Sequence, residues 1–186
     1  MRQGELTATV PNASAAATIR QATTPRDLEF ARALFVEYAQ WLAVDLCFQG
    51  FEAEVATLPG EYAPPRGRLL LAGAPGAAFA CAALRPLAEE SGCCGDRRRE
   101  TVGGAPTGEV KRLYVQPSHR REGWGERLAR ALIDEARVVG YRELKLDTLD
   151  WMAEARALYA SLGFRECAPY YRNPLAGAVY MCLSLR

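Results

Sequence analysis

The stretch RREGWGERL, residues 120 to 128, sets Gly123 and Gly125 one residue apart, directly after Arg120 and Arg121. Behind them Leu128, Ala129, Leu132, Ile133, Ala136 and Val139 recur at the three- and four-residue spacing of one helix face, and Gly140 stands where a left-handed residue would end that helix. A helix N-terminus presents unpaired backbone N–H groups and the positive end of its dipole. Glycines let an anion come close to that backbone, and arginines add charge from the side. The chemistry such a segment suits is the binding of a diphosphate. An ordinary strand-to-helix turn with surface arginines carries the same pattern, so the segment alone leaves both open.

Two common phosphate sites do not fit. A dinucleotide fingerprint places a third glycine three residues further on, in the first strand–helix unit of its domain. Here position 128 is Leu and several strands come first. A nucleoside triphosphate loop needs Lys and then Ser or Thr after its last glycine, and Gly125 is followed by Glu126 and Arg127.

The surrounding elements follow from periodicity. ATIRQAT, from Ala17, alternates like a short strand; from Asp27, Leu28, Ala31, Leu34, Phe35, Tyr38, Trp41 and Leu42 mark one face of a long helix, with Pro25 near its start. FEAEVATL reads as a second short helix. RLLLAG and AAFACAAL flank APG as a hairpin, and GEVKRLYV is a strand that Pro117 stops. ELKLDTL is a further strand, Met152 to Leu162 a helix closed by Gly163, and FRECAPY and AVYMCLSL the last two strands, separated by NPLAG. The order predicts one mixed α/β domain over residues 18–186 without internal repeats, preceded by a flexible arm over residues 1–17.

Composition narrows the partners. The 186 residues hold 23 Lys and Arg against 22 Asp and Glu, a formal net charge of +1, so no global positive charge argues for nucleic acid or an anionic membrane. With no apolar run of spanning length and no secretory signal, the expected location is the cytoplasm. The six cysteines lack metal-site spacing and the chain has one histidine, His119, so free thiols and no metal are expected, with Cys93–Cys94 in an exposed loop.

The wider segment VQPSHRREGWGERLARALIDEA resembles motif A of the GNAT N-acetyltransferase superfamily, whose Q/R-x-x-G-x-G/A core is matched by Arg120, Gly123 and Gly125. ARALYASLGF resembles that superfamily's motif B through Ala155, Leu158, Tyr159, Gly163 and Phe164. The resemblance covers about Thr18 to Arg186 and implies an acetyl-CoA-dependent N-acetyltransferase, with a central mixed sheet whose fourth and fifth strands splay apart.

By that resemblance the pantetheine arm lies in the gap along Leu113, Tyr114 and Val115, and the diphosphate sits on Arg120, Arg121, Glu122, Gly123, Trp124, Gly125 and Glu126. Tyr159 is implied as the acid that protonates the departing thiolate, and Glu109 as the base that takes the amine's proton directly or through water. Tyr159 also fits the apolar stripe of its helix, and Glu109 also fits a strand-end partner for Lys111 or an arginine. Met152 stands where many members carry a cofactor-holding Asn, which puts that one contact in doubt. Phe48, Phe51, Tyr170, Tyr171 and Asn173 are candidates for an acceptor pocket; their two stretches resemble a bacterial subgroup of unassigned acceptor. Asp45, Glu52 and Glu54 are carboxylates that would suit a cationic amine or simply lie solvated. The implied acceptor is a small-molecule or amino-acid-like amine, bound by a monomer or homodimer. A non-catalytic acyl-CoA sensor and a protein-amine acetyltransferase are the alternatives.

Overall fold

Helix α1 (Pro25–Leu42) begins where the sequence supplies a reciprocal cap. The Thr24 hydroxyl accepts from the Asp27 N–H at 3.1 Å, and the Asp27 carboxylate accepts from the Thr24 N–H at 3.3 Å. Arg20 on strand β1 (Thr18–Gln21) donates to the same carboxylate at 3.0 Å, which ties the helix start to the sheet. The computed structural model describes residues 17–44, 46–47, 50–87 and 106–185. Phe48, Asp45, the Cys93–Cys94 pair and the N-terminal arm up to residue 16 lie outside the described residues.

The remaining elements are α2 (Phe51–Ala56), β2 (Arg68–Gly73), β3 (Ala80–Pro86), β4 (Thr107–Val115), α3 (Trp124–Val139), β5 (Glu143–Leu149), α4 (Ala153–Ser161), β6 (Arg165–Glu166) and β7 (Ala178–Ser184). They build one seven-stranded sheet in the order β1-β2-β3-β4-β5-β7-β6. Only β4 and β5 run parallel, and they pair over just three positions, Thr107 with Glu143, Gly108 with Leu144 and Glu109 with Lys145. Beyond them β4 stays with β3 as far as Val115, and β5 stays with β7 as far as Leu149. Each strand keeps its outer neighbour while parting from the other, so a V opens in the middle of the sheet. The expected mixed α/β fold with splayed fourth and fifth strands is the observed one.

A bulge sharpens the V. Cys81 faces Tyr114 while Ala83 faces Lys111, so Ala82 opposes both Arg112 and Leu113. Arg112 takes a left-handed φ of 56° to make this possible. Its consequence is that the consecutive side chains Lys111 and Arg112 serve the same face of the sheet.

Two apolar layers close the sheet. On one face α3 and α4 bury Leu128, Leu132 and Tyr159 against Leu84, Val110, Leu144 and Leu146. On the other, α1 buries Ala31, Leu34 and Phe35 against Leu69, Leu71, Cys81 and Tyr114. Strand positions alternate between these layers, as a pleated sheet covered on both sides demands. Two expected strands are shorter than the sequence suggests. Of FRECAPY only Arg165 and Glu166 form the strand and Cys167 adds one further bond to the Tyr180 carbonyl, since Pro169 has no N–H to give a ladder and the two tyrosines after it turn into the sheet's polar centre. Strand β3 begins at Ala80 rather than Ala77, because the Ala77 and Phe79 N–H groups close the preceding turn on the Ala74 and Ala72 carbonyls.

Candidate active site

The head of α3 is open. Gly123 occupies the N-cap with φ 80° and no side chain caps the helix, so the first-turn N–H groups are left for a ligand. The preceding turn also needs Arg121 at φ 65°. A Cβ built on Gly125 would meet only the Leu158 Cδ2, at 3.5 Å, an ordinary contact. Packing therefore does not demand glycine here, and the bare backbone fits an anion that must come close.

Not every expected cradle residue offers its side chain. Arg120 turns back: its Nε donates to the Val115 carbonyl at 3.1 Å and its guanidinium lies 4.5 Å from the centre of the Trp41 ring. Trp124 is buried in the core, with its indole N–H on Glu122 at 3.2 Å and Arg127 stacked 3.9 Å from its ring. Glu126 is exposed and pairs with Arg130 at 2.7 Å. His119 is half-buried and stacks on Phe79 with centroids 4.0 Å apart.

A cleft opens in the V. Leu113 and Lys111 of β4 form one wall, Asp147 and Thr148 of β5 the other, with Ala155 and Tyr159 of α4 on one side and Tyr38 and Leu42 of α1 on the opposite side. Along Leu113, Tyr114 and Val115 the strand has no β5 partner, which leaves an edge free to pair with an extended ligand. The Tyr114 side chain points away from it, its hydroxyl donating to Glu37 at 3.0 Å.

Tyr159 is 8% exposed and meets Phe164 edge to face at 5.7 Å. Its hydroxyl has no hydrogen-bond partner among the described residues. Burial pushes the phenol's ionisation well above its ordinary value, with the Tyr38 and Asp147 charges adding to the rise. Met152 is the N-cap of α4 and supplies no capping bond; its sulfur accepts from the Thr148 hydroxyl at 3.6 Å.

Behind the cleft lies a polar network that local sequence patterns do not show. Glu109, 2% exposed, sits at the apex of the V. It accepts from Arg85 Nε at 2.7 Å and from the Tyr170 hydroxyl at 3.1 Å, with Lys111 Nζ 3.6 Å away. Lys111 donates to Asp147 at 3.0 Å, and Asp147 also accepts from the Tyr171 hydroxyl at 2.8 Å and the Asn173 amide at 3.2 Å. Burial opposes the Asp147 charge, but Lys111 and Tyr171 outweigh it and hold the carboxyl below the usual range. Arg112 makes a two-pronged pair with Glu54 at 2.9 and 2.6 Å and lies 5.1 Å from the Phe51 ring centre. Thus Tyr170, Tyr171 and Asn173 gather on Glu109 and Asp147, next to the cleft lining rather than in it, and Phe51 lies against Arg112. Sequence reasoning missed Asp147, Arg85 and Tyr38. Asp147 carries one signal, a carboxylate at the third of the polar positions of β5 that alternate with Leu144 and Leu146.

The sequence profile of the acetyltransferase (GNAT) family matches residues 32–164, from within α1 to the end of α4, which hold the residues that line the cleft apart from Leu175. The chain belongs to this family. An uncharacterized N-acetyltransferase of Schizosaccharomyces pombe is 37% identical over 162 residues, 87% of this chain and 90% of its own. A GNAT-family acetyltransferase of Staphylococcus aureus superposes with a TM-score of 0.69 at 16% identity, covering 92% of this chain and all of its own. The yncA protein of Salmonella typhimurium, solved with its cofactor acetyl-CoA, superposes with a TM-score of 0.62 at 23% identity over 92% of this chain and 95% of its own. The protein is an acetyl-CoA-dependent acetyltransferase, and the open head of α3, the bare Gly125 and the unpaired edge of β4 fit that cosubstrate. Relatives include eukaryotic proteins, so the likeness is not confined to the bacterial subgroup that two stretches resemble.

Proposed function

We propose that this protein moves an acetyl group directly from acetyl-CoA to the primary amine of a small-molecule or amino-acid-like acceptor. The observation that supports it is the cleft itself, which Tyr159, its hydroxyl without a partner among the described residues, lines together with the Leu113 edge of β4 that suits an extended arm. The α3 head, with backbone from Arg121 to Glu126, holds the diphosphate; Leu113, Tyr114 and Val115 pair with the arm. Bound acetyl-CoA supplies an activated acyl carbon that a neutral amine attacks.

Tyr159 stays protonated across the ordinary pH range and gives its proton to the departing sulfur, a role worth about 10²–10⁴ in rate. Glu109 receives the amine's proton, directly or through water, from its place at the apex of the V. A backbone N–H near Leu113 or Val115 polarises the carbonyl, worth about 2.7–4 kcal/mol. Holding both reactants in one cleft contributes about 7–11 kcal/mol more. Tyr170, Tyr171 and Phe51 wall the acceptor end. Asn173 shapes it: its amide reaches the Tyr171 hydroxyl at 3.0 Å while its carbonyl accepts from the Leu175 N–H at 2.9 Å.

Neither nucleic acid nor a membrane is a partner in this reading, which places a monomer or homodimer in the cytoplasm; no helix among the described residues is long and apolar enough to cross a membrane. The test is release of free CoA thiol from acetyl-CoA with a panel of alkyl, aryl and amino-acid amines. Amine-dependent release is expected. Tight CoA binding with no such release for any amine would sink the reading.

A further inference from the structure

Two phenols enter the cleft, and only Tyr159 has a role so far. Tyr38 comes from α1, on the face of the sheet opposite α3 and α4, and lines the same cavity. Its ring is clamped: it stacks on Trp41 with centroids 6.4 Å apart and leans on Tyr114 at 5.7 Å. That packing fixes where the oxygen points. The hydroxyl nevertheless has no hydrogen-bond partner among the described residues, although burial pushes its ionisation up to about 12, eased by Arg112 and reinforced by Asp147. A hydroxyl that lines a cavity without a partner among the described residues keeps its oxygen lone pairs open to a donor on a ligand that enters it.

Its position assigns the ligand. The α3 head and α4 hold the cosubstrate from one face of the sheet, so a group on α1 meets the reacting end from the other face. Tyr38 and Tyr159 line the same cavity from opposite faces of the sheet, so both border the space in which acceptor and thioester would meet. We propose that Tyr38 is an acceptor-binding residue, its hydroxyl oxygen taking a hydrogen bond from an N–H of the incoming amine and turning the nitrogen lone pair toward the thioester. This rests on the transfer reading of the cleft given above.

The test is Tyr38→Phe, which keeps the ring and its contacts with Trp41 and Tyr114. With acetyl-CoA and primary amines that the parent protein accepts, kcat/KM for the amine should fall about tenfold, the loss expected for one hydrogen bond. The KM for acetyl-CoA and the calorimetric affinity for CoA should not change, and the melting temperature should not fall. Parental kcat/KM in the variant would overturn the assignment. So would a lowered melting temperature, because the hydroxyl would then be held by the protein itself. If the parent releases no thiol with any amine, transfer and the role of Tyr38 fall together; turnover that stays at the parental level in Tyr38→Phe removes the second alone.

Discussion

Tyr159 and Tyr38 differ from the other buried phenols of this chain in what their hydroxyls touch. Tyr62 donates to Glu54 at 2.7 Å, Tyr170 to Glu109 at 3.1 Å and Tyr171 to Asp147 at 2.8 Å, all ionised carboxylates in a polar network. Losing such a bond is expensive, whereas losing an unpartnered hydroxyl is not. Tyr62→Phe should therefore cost about 1.5–3 kcal/mol in urea unfolding, the range for a bond to a charged group. Tyr159→Phe should leave the urea midpoint unchanged yet lower kcat by about 10²–10⁴ with CoA affinity retained. Equal loss of turnover and CoA binding would make Tyr159 a packing residue instead. Tyr159 and Glu109 were legible in the sequence through motif resemblance and strand position. Their company was not: Arg85 reaches Glu109 from 24 residues away and Asp147 reaches Lys111 across 36, distances over which no local pattern survives.

The helical stripes of α1, α3 and α4, and the glycine ends of the last two, were readable because the 3.6-residue period and the caps act within a turn or two. The V between β4 and β5 depends on pairing that stops after three positions, which composition does not mark, and only the resemblance foretold it. The bulge at Arg112 was missed because no glycine or proline announces it. At this scale the α3 head carries a prediction. Gly125 lies inside a helix where a Cβ has room, so Gly125→Ala should raise stability slightly, by about 0.5–1 kcal/mol, because glycine loses more chain freedom on folding. In the proposed diphosphate cradle the same methyl would stand against the anion, so CoA affinity by calorimetry should drop. Gly125→Asp adds charge as well as bulk and should abolish binding while the fold persists. Unchanged affinity in both variants would mean that the diphosphate lies elsewhere.

Across the whole molecule three carboxylates join layers that apolar packing alone would leave separate. Asp27 ties the start of α1 to β1 through Arg20, Glu54 ties α2 to the β4 bulge through Arg112, and Asp147 ties β5 to β4 and to the connection before β7. Burial opposes ionisation at each. At Asp27 the Thr24 bonds prevail over it, at Glu54 the Arg112 pair and at Asp147 Lys111, so all three carboxyls are held below their ordinary values of 3.8 for Asp and 4.5 for Glu. A carboxylate lowered in the folded state binds fewer protons there than in the unfolded chain, so its contribution is complete above the unfolded value and declines as pH falls through the folded one. The urea midpoint should thus hold nearly level from neutrality to about pH 5 and fall increasingly below it, as the three ties protonate together. Replacing Asp27 and Asp147 with Asn and Glu54 with Gln should lower the midpoint at neutral pH and flatten this acid slope. A parent midpoint that stays level to about pH 3 would show that these ion pairs do not hold the layers together.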